Sequence, residues 1–175
     1  MPGFPPRAAD IRLAVFDVDG VLTDGSLLLG PNGEEYKIFH VHDGLGLVML
    51  REAGLKVAVI SSRSAPVVAE RMAALGIEHV FQGRDDKRAI LLELAGKLGV
   101  KPAEIAYVGD DLVDLPAMDA AGLPIAVADA HASVRESAQW VTRRPGGRGA
   151  VREVCEMLLE AQGLLAARIA RWRGA

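Results

Sequence analysis

The order of apolar and polar segments predicts an α/β fold. The expected architecture is a three-layer, doubly wound, mostly parallel sheet of Rossmann-like type, with one protruding β-hairpin. Three observations carry this. Apolar runs at 13–16, 57–60 and 105–108 are continuous rather than alternating, as in strands buried on both faces. Helix-length segments separate them, which implies right-handed βαβ units. Polar residues gather just after the runs, at the sheet edge where open α/β folds bind ligands.

Residues 1–10 read as a frayed lead-in, and the first strand runs over about 12–16. Asp17 and Asp19 follow, with Gly20 allowing a tight turn. Two charges do not belong on a buried sheet face, so the chain leaves the sheet there. Residues 27–41 hold two β-like segments around Gly-Pro-Asn-Gly, a hairpin signal. The alternation of Tyr36, Ile38 and His40 against Lys37 and Phe39 is imperfect. Asp43 is expected to cap a helix running to about Ala53, stopped by Gly54. A strand at 57–60 leads to Ser61-Ser62-Arg63. Ser64 caps the next helix, with Pro66 in its first turn and Gly76 at its end. A short strand at 79–82 precedes a helix from Asp85 or Asp86 to about Leu98. The strand at 105–108 ends in Gly109-Asp110-Asp111. A helix near 115–121, a strand at 124–128, a helix from about Ser133 and a short strand at 140–142 follow. Residues 143–149, rich in Arg and Gly, read as flexible and basic, and 150–171 as one long amphipathic helix.

With 175 residues, half of them hydrophobic and a quarter charged, the chain suffices for a single domain over 1–175. A net charge of −3 argues against non-specific nucleic-acid binding. The single cysteine, Cys155, excludes an intramolecular disulfide and fits a reducing compartment. Neither a signal core nor a bilayer-length apolar run is present, so the expectation is a cytoplasmic protein without nucleic-acid or membrane partners.

Four strand ends carry polar residues that one crevice can collect: Asp17 with Asp19, Ser61, Lys87, and Asp110 with Asp111 and Asp114. Each has an ordinary reading alone: an Asp-rich turn, a residue leading into a helix, a solvated lysine, a common Gly-Asp-Asp turn. As an ordered set they supply a nucleophilic carboxylate, a hydroxyl, a cation and metal-binding acids. Phosphoryl transfer to an aspartate needs this set, because a metal and a lysine neutralise the phosphate and let one anion approach another.

The set resembles the four motifs of the haloacid dehalogenase superfamily, read here as Asp17-Val-Asp19-Gly20, Ser61, Lys87, and Gly109-Asp110-Asp111 with Asp114. Further stretches resemble a capless sugar-acid phosphatase subclass: 17–25, 32–35, Asp43-Gly44, 107–111, 127–131 and, outside the general motifs, Gly146-Gly-Arg-Gly-Ala-Val-Arg-Glu-Val-Cys155. The resemblance implies a haloacid dehalogenase fold without a cap domain and a Mg²⁺-dependent phosphatase of lipopolysaccharide-precursor synthesis. In it Asp17 attacks phosphorus, and Asp19 protonates the leaving oxygen and then activates water. Asp17, the Asp19 backbone carbonyl and Asp110 hold Mg²⁺, with Asp111 and Asp114 behind them. Ser61 and Lys87 bind phosphoryl oxygens. Arg63 and Arg71 face the anionic substrate, and the family's hairpin implies a homotetramer.

The chain departs from the subclass pattern at His40-Val-His42 before Asp43-Gly44, at Val48 in place of an arginine, and at Ser61-Ser62-Arg63 in place of Thr-Gly-Arg. His40 and His42 are therefore assigned, with Asp43 and Gly44, to the substrate edge, a structural role being the alternative. Arg148 either reaches a neighbouring subunit's site or belongs to a solvated linker. The expected substrate is an eight-carbon 3-deoxy-ulosonate 8-phosphate, with a nine-carbon nonulosonate 9-phosphate as the alternative. A phospho-aspartate receiver domain is the rival of a different class. It places its adjacent acids first and its phosphorylated Asp later, the reverse of the order here.

Overall fold

The computed structural model describes residues 4–173. Six parallel strands form the main sheet: β1 (Leu13–Phe16), β4 (Lys56–Ile60), β5 (His79–Phe81), β6 (Ile105–Gly109), β7 (Leu123–Ala126) and β8 (Trp140–Val141), in spatial order β5-β4-β1-β6-β7-β8. The hairpin pairs β2 (Leu28–Leu29) with β3 (Glu35–Tyr36) in a separate two-stranded sheet. Its strands are shorter than the 27–41 span suggests, and Val41 already belongs to a helix. The helices are α1 (Val41–Glu52), α2 (Pro66–Ala74), α3 (Lys87–Leu98), α4 (Leu115–Met118), α5 (Ala132–Ser137), α6 (Ala150–Ala161) and α7 (Leu165–Trp172).

The continuous apolar runs account for the centre of the sheet. All four side chains of β1 are fully buried, and β4 and β6 flank it in parallel, Phe16 standing level with Val59 and Val108. Each large apolar side chain removed from water contributes roughly 1.5–3 kcal/mol. α1 packs on α6, while α3, α4 and α5 form a second group joined through α4. Right-handed crossovers put the two groups on opposite faces. The chain leaves β1 towards β4 and β5, then returns past β1 to β6. β1 therefore ends at the point where the winding reverses, where a crevice opens.

Four local expectations are corrected. Asp43 does not cap its own helix; it lies inside the first turn of α1, and its carboxylate accepts from Gly149 N–H (3.2 Å) and Arg152 N–H (2.7 Å), the start of α6. Ala65, not Ser64, precedes α2, and its N–H is taken by Gln82 Oε1. The terminal helix is two helices, because Gly163 at φ +70° ends α6 with Leu164 N–H closing back on the Leu159 carbonyl. Residues 143–149 are not a loose linker: Arg143 and Arg144 bind Glu153, Gly146 N–H donates to Asp129, and Gly147 N–H to the Val21 carbonyl.

Candidate active site

Asp17 continues β1, its N–H donating to the Val108 carbonyl, and Asp110 lies just beyond β6 on the adjoining strand. The buried Lys87, the first residue of α3, joins the acids: its Nζ is 3.0 Å from Asp17 Oδ1 and 2.8 Å from Asp114 Oδ1. Asp114 ends the short turn Leu112–Asp114 and is completely buried. Both its oxygens are in use: Oδ1 also accepts from Tyr107 O–H (2.8 Å), and Oδ2 from the N–H groups of Asp110 and Asp111. A buried ammonium is tolerable only when paired. Burial works against the charge on Lys87, but Asp17 and Asp114 more than offset it and hold its pKa above the ordinary value.

Asp17, Asp110 and Asp114 bring carboxylate oxygens within 4.8 Å of one another. The free acids are poorly matched as a bare set. Burial pushes Asp17 up to about 7, aided by Asp114 and opposed by Lys87. Burial, then the charges of Asp17, Asp114 and Asp111, push Asp110 up to about 8. Asp17 Oδ1 has only the Lys87 ammonium beside it, and Asp110 Oδ1 is buried without a partner. A divalent cation with oxygen ligands answers both problems, the clustered charge and the orphaned Asp110 oxygen. Since Asp114 is committed to protein donors, Asp17 and Asp110 are the acids that fit such an ion directly. Gly20, at φ +90°, is required by this packing: a Cβ there would stand 2.0 Å from Asp110 Oδ2.

Ser61 follows β4 and is buried, its Oγ accepting from Arg63 N–H. Arg63 extends to the rim and pairs with Glu35 of the hairpin (2.8 Å). His40 and His42 stack edge to face at 5.0 Å, and buried His40 Nδ1 has no partner. His40, Asp43, Gly44 and Arg71 line a small crevice with Leu22 and Phe39. Asp43 and Gly44 are buried there, and both Asp43 oxygens serve the start of α6. Arg148 is held by Asp24 of its own chain at 2.9 Å.

Two contributors were missed in the sequence. Tyr107 reads from sequence as a strand residue within the 107–111 resemblance, with no role of its own, and its phenol anchors Asp114 under the site. Lys37 was seen only as an irregularity in the hairpin. Its side chain is 2% exposed, and its ammonium contacts both Asp19 Oδ1 and Glu35 Oε1. The broken alternation was the available signal.

Buried acids and a lysine at the winding reversal of a parallel sheet define a phosphoryl-transfer hydrolase site. The chain belongs to the haloacid dehalogenase-like hydrolases: residues 45–122 match that family, and curated relatives match nearly the whole chain. It is 50% identical to the 3-deoxy-D-manno-octulosonate 8-phosphate phosphatase KdsC of Escherichia coli K12, over 91% of this chain and 85% of that one. The same-named phosphatase of Moraxella catarrhalis, solved with magnesium, phosphate and a KDO molecule, is 44% identical at a TM-score of 0.93, covering 95% of each chain. The Yersinia pestis phosphatase structure is 48% identical at a TM-score of 0.90, covering 91% of this chain and 86% of that one. The receiver-domain alternative falls with this membership. Among the described residues no helix is long and apolar enough to cross a membrane.

Proposed function

We propose that this chain is a Mg²⁺-dependent phosphatase that hydrolyses 3-deoxy-D-manno-octulosonate 8-phosphate to the free sugar acid and phosphate, in the cytoplasm, for lipopolysaccharide-precursor synthesis. The observation that carries the chemistry is the buried Lys87 bridging Asp17 and Asp114 beside Asp110. The substrate rests on the relatives.

Asp17 attacks phosphorus; its oxygen–phosphorus bond forms as the sugar oxygen–phosphorus bond breaks. Asp19 gives its proton to the departing sugar oxygen. It then takes a proton from the water that displaces phosphate from Asp17. Ser61 and Lys87 hold phosphoryl oxygens. Asp17, Asp110 and the Asp19 backbone carbonyl would hold Mg²⁺, with Asp111 and Asp114 supporting them. The ion supplies positive charge against which a carboxylate approaches a phosphate anion. Asp114 keeps the Asp110–Asp111 backbone and Lys87 in place.

Arg63, Arg71, His40 and His42 form the substrate edge, with Gly44 leaving room beside them and Asp43 fixing the turn that carries the histidines. Arg148, exposed and paired with Asp24, is available to the substrate site of a neighbouring copy. A nine-carbon nonulosonate 9-phosphate is the second reading, because His40, His42 and Val48 depart from the subclass pattern. The hairpin supports assembly of copies into a tetramer: Glu35, Lys37 and Phe39 turn inward, while Leu28, Leu29, Tyr36 and Ile38 are each more than half exposed. An apolar outer face on a short two-stranded sheet wants cover.

The test is Asp17→Asn with a panel of sugar phosphates and Mg²⁺. The variant is expected to fold and to lose turnover, and the wild type to prefer the octulosonate ester. Near-normal turnover by Asp17→Asn would exclude the aspartyl-phosphate route.

A further inference from the structure

The two oxygens of Asp19 have different fates. Oδ1 is contacted by Lys37 Nζ, while Oδ2 is buried with no partner. Lys37 comes from the hairpin and is itself held by Glu35 Oε1 at 2.7 Å; Glu35 Oε2 is held by Arg63 at 2.8 Å. The charges alternate in sign from the β1 loop, through the hairpin, to the end of β4. A lysine with 2% of its side chain exposed is not a solvated surface charge. It turns inward on a hairpin whose neighbouring residues Tyr36 and Ile38 face outward.

We propose that Lys37, braced by Glu35, is a positioning residue that fixes the Asp19 carboxylate so that Oδ2 is the oxygen exchanging protons with the leaving group. The proposal rests on the reading of Asp19 as the acid–base group. A carboxylate free to rotate about χ1 and χ2 presents either oxygen in several directions. One anchored through Oδ1 presents Oδ2 in one. Proton transfer is sensitive to such placement; a misplacement of about 1 Å costs on the order of 10²-fold in rate. Glu35 matters because it limits Lys37 to the inward conformation, and Arg63 because it limits Glu35. The hairpin thereby contributes to the chemistry from its inner face.

The test uses two substrates of one shape, phenyl phosphate and 4-nitrophenyl phosphate, with the full chain and Mg²⁺. Phenolate is the poorer leaving group and depends more on a proton donor, so the ratio of kcat/KM for the two esters reads the acid. Neither carries the sugar, so a lost sugar contact does not alter the ratio. Lys37→Met is expected to lower kcat/KM for phenyl phosphate on the order of tenfold more than for the nitrophenyl ester. Glu35→Gln, which keeps Lys37 but removes its charged brace, is expected to shift the ratio the same way by less, and Lys37→Arg to restore part of it. Asp19→Asn must show the largest shift. If Asp19→Asn leaves the ratio unchanged, the acid–base assignment fails and the proposal with it. If Asp19→Asn shifts the ratio while Lys37→Met and Glu35→Gln lower both esters equally, Lys37 is only structural. If those variants raise KM for the sugar phosphate alone, it is a substrate contact. Either result overturns the positioning role.

Discussion

Gly146→Ala is the sharpest structural test of how the site is held. A Cβ at Gly146 would stand 1.7 Å from the Gly20 carbonyl oxygen and 2.6 Å from its carbon. Both are backbone atoms, so no side chain can swing aside. The segments must part by roughly 1.5 Å to reach ordinary contact, a distance at which the packing attraction between them is lost. Gly20 follows Asp19 directly and lies against Asp110, so the shift passes to the site itself. Overpacking costs about 1–3 kcal/mol, and misplacing a reacting group by about 1 Å costs on the order of 10²-fold in rate. Gly146→Ala is therefore expected to lower the melting temperature by several degrees, and kcat for the sugar phosphate by about 10²-fold or more. Lys97→Ala, at the far end of α3 from the site, is the control. Its pair with Glu93 is solvent-exposed, and such pairs contribute about 0–1 kcal/mol. Thermal unfolding and steady-state kinetics on the two variants settle the point. Wild-type kcat and melting temperature in Gly146→Ala would refute the claim that this contact sets the loop.

Two further outcomes are expected. In metal-free protein, Asp17 and Asp110 bind protons up to about 7 and 8, whereas unfolded carboxylates release them near 3.8. The folded state then holds more protons over that window, so these groups make it less stable as pH rises. Mg²⁺ must displace those protons, so its stabilisation of the fold should be greater at pH 8 than at pH 6. Equal Mg²⁺-induced shifts in melting temperature at both pH values would contradict this. For assembly, Leu28→Asp with Ile38→Asp should lower the native mass measured by sedimentation or light scattering, and an unchanged mass would remove the hairpin from the interface.

The sheet was legible because strands buried on both faces leave a simple record: β1, β6 and residues 57–60 of β4 are uninterrupted apolar runs. The acids were legible because charge cannot stay on such strands, so Asp17 and Asp110 mark where the chain leaves the sheet. The order of segment 143–149 was not legible. Its composition is that of a loose linker, and its rigidity comes from partners remote in sequence: Val21, Asp24 and Asp129. The break at Gly163 was written in the sequence, but amphipathic periodicity on both sides of it outweighed a single glycine. Asp43 misled for a related reason. An acid at a helix start reads as that helix's cap, yet this one serves a different helix more than a hundred residues away, a pairing that only the α1–α6 contact reveals.

The same contacts explain how a site with only a short hairpin inserted between β1 and α1, among the described residues, keeps its geometry. The loop after β1 carries Asp17, Asp19 and Gly20, and such loops are usually the mobile part of a fold. Here it is gripped from two sides. Lys37 of the hairpin holds Asp19 on one side. On the other, Gly146 packs on the Gly20 carbonyl, Gly147 N–H binds Val21, and Arg148 binds Asp24. Gly149, the next residue, then passes the strap to Asp43 and so to α1. Glycine spacing in Gly146-Gly-Arg-Gly149 is thus a packing requirement: a side chain at 146 or 147 would collide with backbone at 20 or 23–24. In this arrangement the proposed substrate edge, acid–base group and nucleophile are tied through the hairpin and the 146–149 segment, so placement of the reacting groups does not wait on closure of a lid.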